Sequence, residues 1–174
     1  MTPKVLDILA RYGVKATFFM VGENIDKHPE VFRQVVEAGH TIGNHTYNHL
    51  KGWHTSFDEY LDNVARCQEV IHRNCKLYIV NCTLFRPPYG KATLRQRRAL
   101  HRKGYRLIYW DILTRDYDAR VTPEQMLALI RKEVRPGSII NFHDSIKSNE
   151  RMLAVLPQAI EYLQHAGYTL SPLP

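Results

Sequence analysis

Strand-like and helix-like segments alternate along the whole chain, joined by short connections, and no other feature of the sequence restricts the fold so strongly. "KATFFMVG" (15–22), "TIGNH" (41–45), "LFRPPYG" (84–90), "RLIYWDIL" (106–113) and "SIINFHDS" (138–145) read as buried strands or strand ends. Helical patterns separate them. The opening "TPKVLDILARYG" has Thr2 as an N-cap, Pro3 in the first helical position and an apolar face of Val5, Leu6, Ile8 and Leu9, with Gly13 placed to stop it. "HPEVFRQVVEAGH" starts at Pro29 and ends at Gly39. "SFDEYLDNVARCQEVIHRNC" opens on Ser56 with Glu59 three residues on, a capping-box pattern. "ATLRQRRALHRKGY", the Thr-Pro start of "TPEQMLALIRKEVRPG", and a last helix followed by a short strand in "MLAVLPQAIEYLQHAGYTLSPL" complete the series. This order predicts a parallel sheet or barrel with helices outside.

A length of 174 residues fits one domain, 1–174, with a real core. No apolar run reaches the length of a membrane span, and the first residues do not read as a signal peptide. The compartment stays open. Net charge is +7, and part of it lies in "RQRRALHRK", residues 95–103. An anionic partner such as nucleic acid or a cell-wall polymer is one reading, and a solvated helix face the plainer one. No nucleic-acid motif accompanies the run, so no nucleic acid is expected. Cys67, Cys75 and Cys82 are odd in number and lack metal-knuckle spacing, which predicts buried free thiols.

Polar clusters fall just after the strands, on the rim where such folds gather active sites. His45 and His49 are four apart, the spacing that puts two imidazoles on one side of a helical turn. Thr46 stands where a zinc protease would carry its glutamate base, which excludes that chemistry. A metal pair and two unrelated polar histidines both remain open on spacing alone. In "FRPPYG", Pro87 and Pro88 fix the backbone behind Arg86, and the amides of Tyr89 and Gly90 are placed to face an oxyanion. "WDILTRDYD" offers Asp111, Asp116 and Asp118, one of which can pair with Arg86. His143 and Asp144 close "IINFHDS", where a histidine at a strand end is a candidate acid or base.

Taken in order, "HTYNH", "RPPYG", "WDILTRDYD" and "NFHDS" resemble the polysaccharide deacetylase family, also known as the chitooligosaccharide deacetylase homology domain or carbohydrate esterase family four. The likeness runs from Thr2 to about Leu170. It implies an α/β fold, a distorted barrel of strands and helices, and a hydrolase that removes acetyl groups from the nitrogen or oxygen of sugars in chitin or peptidoglycan. By resemblance, His45 and His49 are two ligands of a divalent metal ion, with zinc the expected ion. His143 is the general acid, Asp116 orients it, Arg86 belongs to the surrounding charge network, and a backbone amide at Tyr89 helps hold the oxyanion. Members of the family are often secreted or attached to the cell envelope.

The family also has a strand with a Thr-Phe-Asp-Asp-Gly motif just before the "TPKVLDIL" helix, whose aspartates are the base and the third metal ligand. These residues begin at that helix. The expectation is therefore a barrel missing its first strand, with an unpaired edge beside "KATFFMVG" open to another segment or a second copy. The 174 residues alone should bind metal weakly and turn over little. A non-catalytic saccharide-binding remnant is the alternative. Asn141 replaces a usually apolar residue of the acetyl pocket, and Tyr117 stands where many members have tryptophan.

Overall fold

A computed structural model describes residues 1–75, 82–145 and 148–174. The fold is α/β, and every strand pairing among the described residues is parallel. The chain forms two compact units, Thr17–Tyr109 with Leu173–Pro174, and Met1–Ala16 with Trp110–Pro172.

The first unit is built on a four-stranded sheet in the order β1 (Thr17–Met20), β2 (Thr41–Asn44), β3 (Leu84–Phe85), β4 (Arg106–Leu107). Among the described residues β1 is an end strand of this sheet, on the side where the sequence predicts an edge. Register pairs Phe19 with Gly43 and Asn44 with Phe85. The sequence predicts a first strand that ends at Gly22. Instead Gly22 opens a short helix, α2 (Gly22–Lys27), with α3 (Pro29–Glu37) directly after it. A Cβ on Gly22 would sit 2.8 Å from the Tyr47 ring and 3.1 Å from the Cys67 Cα, so close approach demands glycine here. α4 (Phe57–Asn74) starts where Ser56 accepts a hydrogen bond from the Glu59 amide. α5 (Leu94–Arg102) carries a complete capping box between Thr93 and Gln96. Tyr60 and Val64 of α4, Phe85 of β3 and Leu100 of α5 form one buried cluster.

The second unit holds α1 (Thr2–Arg11) and a two-stranded sheet of β5 (Ile112–Leu113) and β6 (Ile140–Asn141). It also holds α6 (Pro123–Glu133) and α7 (Asn149–His165). Ile112, Met126, Ile130, Val155, Ala159 and Leu163 are its core. α1 is tied to α7 by a 2.5 Å bond from the Tyr12 hydroxyl to Glu161, and Gln164 donates to the Tyr12 carbonyl.

Three expectations need correcting. Thr2 is the first helical residue rather than the cap, and its hydroxyl donates to Asp144 at 2.5 Å. "RLIYWDIL" is two short strands in two different sheets, because its middle residues leave the ladder. No strand forms after α7 among the described residues; Leu173 meets β1 through a side chain, its amide donating to the Thr17 hydroxyl.

Candidate active site

His45 and His49 do not lie on a helix. They sit in a loop after β2, and Thr46 (φ 66°) and His49 (φ 60°) both adopt left-handed backbone. That backbone replaces the helical turn expected from their spacing, yet the two rings still meet edge to face with centroids 5.0 Å apart.

Asn44 makes the loop possible. Its side chain is fully buried, accepts from the Thr46 amide at 2.9 Å, and donates to the Val64 carbonyl and to Gln68. An Asn bonding the backbone two residues ahead is a turn-forming device. Asn63 supports the next stretch, accepting from the Tyr47 amide at 2.8 Å. Neither asparagine was singled out from sequence, although an Asn directly before the first histidine carried the signal.

His45 Nδ1 lies 2.6 Å from the Arg86 carbonyl oxygen. A carbonyl only accepts, so Nδ1 carries the proton and Nε2 keeps the lone pair that can bind a cation. The Thr46 hydroxyl, fully buried beside the histidines, has no hydrogen-bond partner among the described residues. A set tautomer and a buried polar atom awaiting a partner both fit a bound ion. Among the described residues, however, no three His, Cys, Asp or Glu side chains gather as a metal-holding group.

Arg86 is buried, with its guanidinium 4.1 Å from the centre of the Phe19 ring and donating to the Tyr109 carbonyl at 2.9 Å. Burial pushes its pKa down to about 10. Tyr89 also has left-handed backbone (φ 58°), in the turn fixed by Pro87 and Pro88. Its ring packs on His49 at 4.7 Å and on Trp53 at 5.5 Å. Trp53 is a site-neighbouring residue that pattern reading passed over.

In the second unit, the fully buried Asp116 takes hold of His143 twice. Oδ1 lies 2.7 Å from His143 Nδ1, and Oδ2 accepts the His143 backbone N–H at 2.7 Å. A carboxylate at Nδ1 keeps the proton there and leaves Nε2 to exchange protons. The Tyr117 ring packs edge-on against His143 at 4.8 Å. Three further acids of this unit have partners or are buried. Asp111 accepts from the Ile139 amide. Asp118 is gripped by Arg115 and Arg120, which hold its carboxyl well below the usual range, Arg120 contributing most. Asp144 is pushed up by burial, an effect partly offset by the Thr2 hydroxyl.

The family model of the polysaccharide deacetylases matches residues 1–108. The chain belongs to this family. A peptidoglycan-N-acetylglucosamine deacetylase of Bacillus cereus is 33% identical over 144 residues, covering 83% of this chain and 51% of that protein. The chain thus spans about half the length of that relative. A chitooligosaccharide deacetylase of Azorhizobium caulinodans is 31% identical over 186 residues, covering all of this chain and 87% of the relative. A crystal structure of a peptidoglycan N-acetylglucosamine deacetylase, bound to an N-hydroxybenzamide derivative, superposes with a TM-score of 0.93 at 29% identity. That match covers 99% of this chain and 79% of the other.

Proposed function

We propose that this chain carries the catalytic residues of a metal-dependent deacetylase acting on an N-acetylated saccharide, with 1–174 working as one catalytic domain. The observation that carries the reading is the pair of histidines with set tautomers: His45 through the Arg86 carbonyl and His143 through Asp116. A metal ligand and a proton donor each need one ring nitrogen held and the other left to act.

His45 and His49 would hold the divalent ion, zinc being the expected one. A bound divalent ion lowers the pKa of water and polarises a carbonyl. The chain's own groups supply the rest. Asp116 orients His143 so that Nε2 can protonate the leaving amine nitrogen. Arg86 is locked beneath Phe19 and keeps the loop carbonyl aimed at His45. The Tyr89 amide, presented by a left-handed turn, is the proposed oxyanion donor. The base and a third ligand are roles that no residue described here fills.

The test is a chain with the family's Thr-Phe-Asp-Asp-Gly strand fused ahead of Thr2, compared with residues 1–174. With added zinc or cobalt, the fused chain should release acetate from N-acetylated chitooligosaccharides or peptidoglycan fragments, and His45→Ala and His143→Ala should each abolish it. A folded fusion that releases no acetate but binds these sugars would favour the saccharide-binding alternative.

A further inference from the structure

Next to the histidine loop lies an open cleft of about 360 Å³ lined by Trp53, Lys91, Thr93, Arg97 and Tyr109. Five large hydrophobic side chains are exposed among the described residues, namely Trp53, Tyr89, Leu94, Tyr109 and Tyr117. Trp53 and Tyr109 line this cleft, and Tyr89 packs on Trp53. Three of the five therefore collect at one place, and such concentration on a protein surface marks a binding site.

The sequence that carries Tyr89 and Tyr109 is strongly basic. Residues 70–110 contain no Asp or Glu, and within them 82–110 carry Arg86, Lys91, Arg95, Arg97, Arg98, Arg102, Lys103 and Arg106. Lys91 Nζ lies 5.5 Å from the Trp53 ring centre, and Lys51 Nζ 5.8 Å from that of Tyr89. Among the described residues, no ion pair involves Lys51, Lys91 or Arg97. The acids nearest Trp53 in sequence are Asp58 and Glu59, in the exposed first turn of α4. A neutral sugar would use the aromatic faces and leave the cations unmatched. A sugar with a carboxylate would use both, since a charge-assisted bond to Lys or Arg is stronger than a neutral one.

We propose that this cleft is a subsite for a carboxylate-bearing sugar of the substrate, so that the preferred glycan is acidic rather than neutral. The inference rests on the saccharide reading above and deepens it. Trp53 and Tyr109 present apolar faces to the sugar ring, while Lys91 and Arg97 pair with its carboxylate. From Trp53 through Tyr89 to His49 the rings touch in steps of 5.5 and 4.7 Å, which makes the subsite a direct neighbour of the histidine pair.

Calorimetric binding to the 174-residue chain tests this without requiring turnover. The probes are N-acetylglucosaminyl-N-acetylmuramic acid, its methyl ester, N,N'-diacetylchitobiose, and an N-acetylglucosamine–glucuronic acid disaccharide. At least one free acid should bind about tenfold or more tightly than the neutral probes, the scale of one charge-assisted pair. The tighter of the two acids identifies an ether-linked or a ring carboxylate as the source. The preference should shrink to within about twofold in Lys91→Gln/Arg97→Gln and weaken with salt. It should survive Arg102→Gln, an exposed change at the far end of α5 that alters net charge without touching the cleft. Equal binding of acid and ester, or a loss in Arg102→Gln as large as in the double variant, overturns the inference alone. Binding of no saccharide at all overturns the saccharide reading with it. Tighter binding of a short DNA oligomer than of either acid sugar overturns the inference in favour of a nucleic-acid face.

Discussion

Asp116 holds His143 through both carboxylate oxygens, one on the ring Nδ1 and one on the backbone N–H, each at 2.7 Å. The carboxylate is fully buried, and its own carbonyl accepts from Arg151 at 3.0 Å. Ring orientation and strand end are therefore fixed by one side chain.

Asp116→Asn breaks this double grip. An amide has one accepting oxygen, so its NH2 faces either the ring Nδ1, which must give up its proton to accept it, or the backbone N–H, donor against donor. Leaving a buried donor unmet costs about 1–3 kcal/mol. Denaturant unfolding should show a loss of that size, and ¹⁵N NMR should show His143 no longer held as the Nδ1–H tautomer. An unchanged His143 signature would remove the positioning role from Asp116.

Gly43→Ala should damage the first unit. A Cβ there would meet the Phe19 ring at 2.4 Å, across the β1–β2 register. Phe19 in turn carries the Arg86 guanidinium. Overpacking of this kind costs about 1–3 kcal/mol. The expected result is a lower melting temperature together with a shifted His45 ring resonance, because Arg86 offers the carbonyl that His45 bonds. A variant that melts like wild type would mean that Phe19 swings away at little cost.

Cys67, Cys75 and Cys82 are buried and unpaired. Burial pushes their thiols up to about 12, 11 and 12 respectively, so thiolate is scarce at pH 8. A thiol reagent such as Ellman's should find almost none in the native protein and all three after denaturation. Rapid native labelling at any one position would contradict this burial.

Asp118 gives a pH dependence with a definite sign. Its folded pKa is depressed, chiefly by the Arg120 hydrogen bond. Such a group adds stability that is complete above its unfolded value, about 3.9, and is lost as pH falls through the lower folded value. Wild type should be more stable than Asp118→Asn at pH 5 and above, with the gap closing as pH drops below about 4. Arg120 is largely exposed, so solvent screening keeps the gap small. A gap that widens on acidification would reverse the sign and refute the account.

Much of this architecture was legible in the chain. The Ser-x-x-Glu and Thr-Pro starts placed α4 and α6 because caps are local chemistry. The α2 helix was missed because Gly22 ends an apolar run and looks like punctuation, whereas its lack of a side chain serves contact with Tyr47 and Cys67. "RLIYWDIL" read as one strand because periodicity cannot tell which sheet each half joins. The His45 and His49 rings do meet, but not on a helical turn. Their spacing suggested a helix, while the meeting of the rings comes from left-handed backbone at Thr46 and His49 and from Asn44 underneath. Those determinants are tertiary, and a single sequence displays them only as an asparagine ahead of a histidine.

The metal behaviour of residues 1–174 follows from that loop. Two imidazoles with centroids 5.0 Å apart, one with its tautomer set by the Arg86 carbonyl, are the proposed holders of a divalent ion. Among the described residues no third His, Cys, Asp or Glu joins them, so the ion lacks a protein carboxylate and its charge. Zinc binding should therefore be weak, fall as pH drops and the imidazoles protonate, and vanish in His45→Ala and in His49→Ala, as followed with a chelating indicator dye. On the proposed mechanism, with no base assigned among the described residues, a factor of roughly 10²–10⁴ in rate would also be missing. Acetate release from N-acetylated chitooligosaccharides by these residues alone should stay well under about one turnover per second, the low end of ordinary enzymes. Turnover at or above that rate, lost in His45→Ala, would show that residues of this chain complete the site unaided.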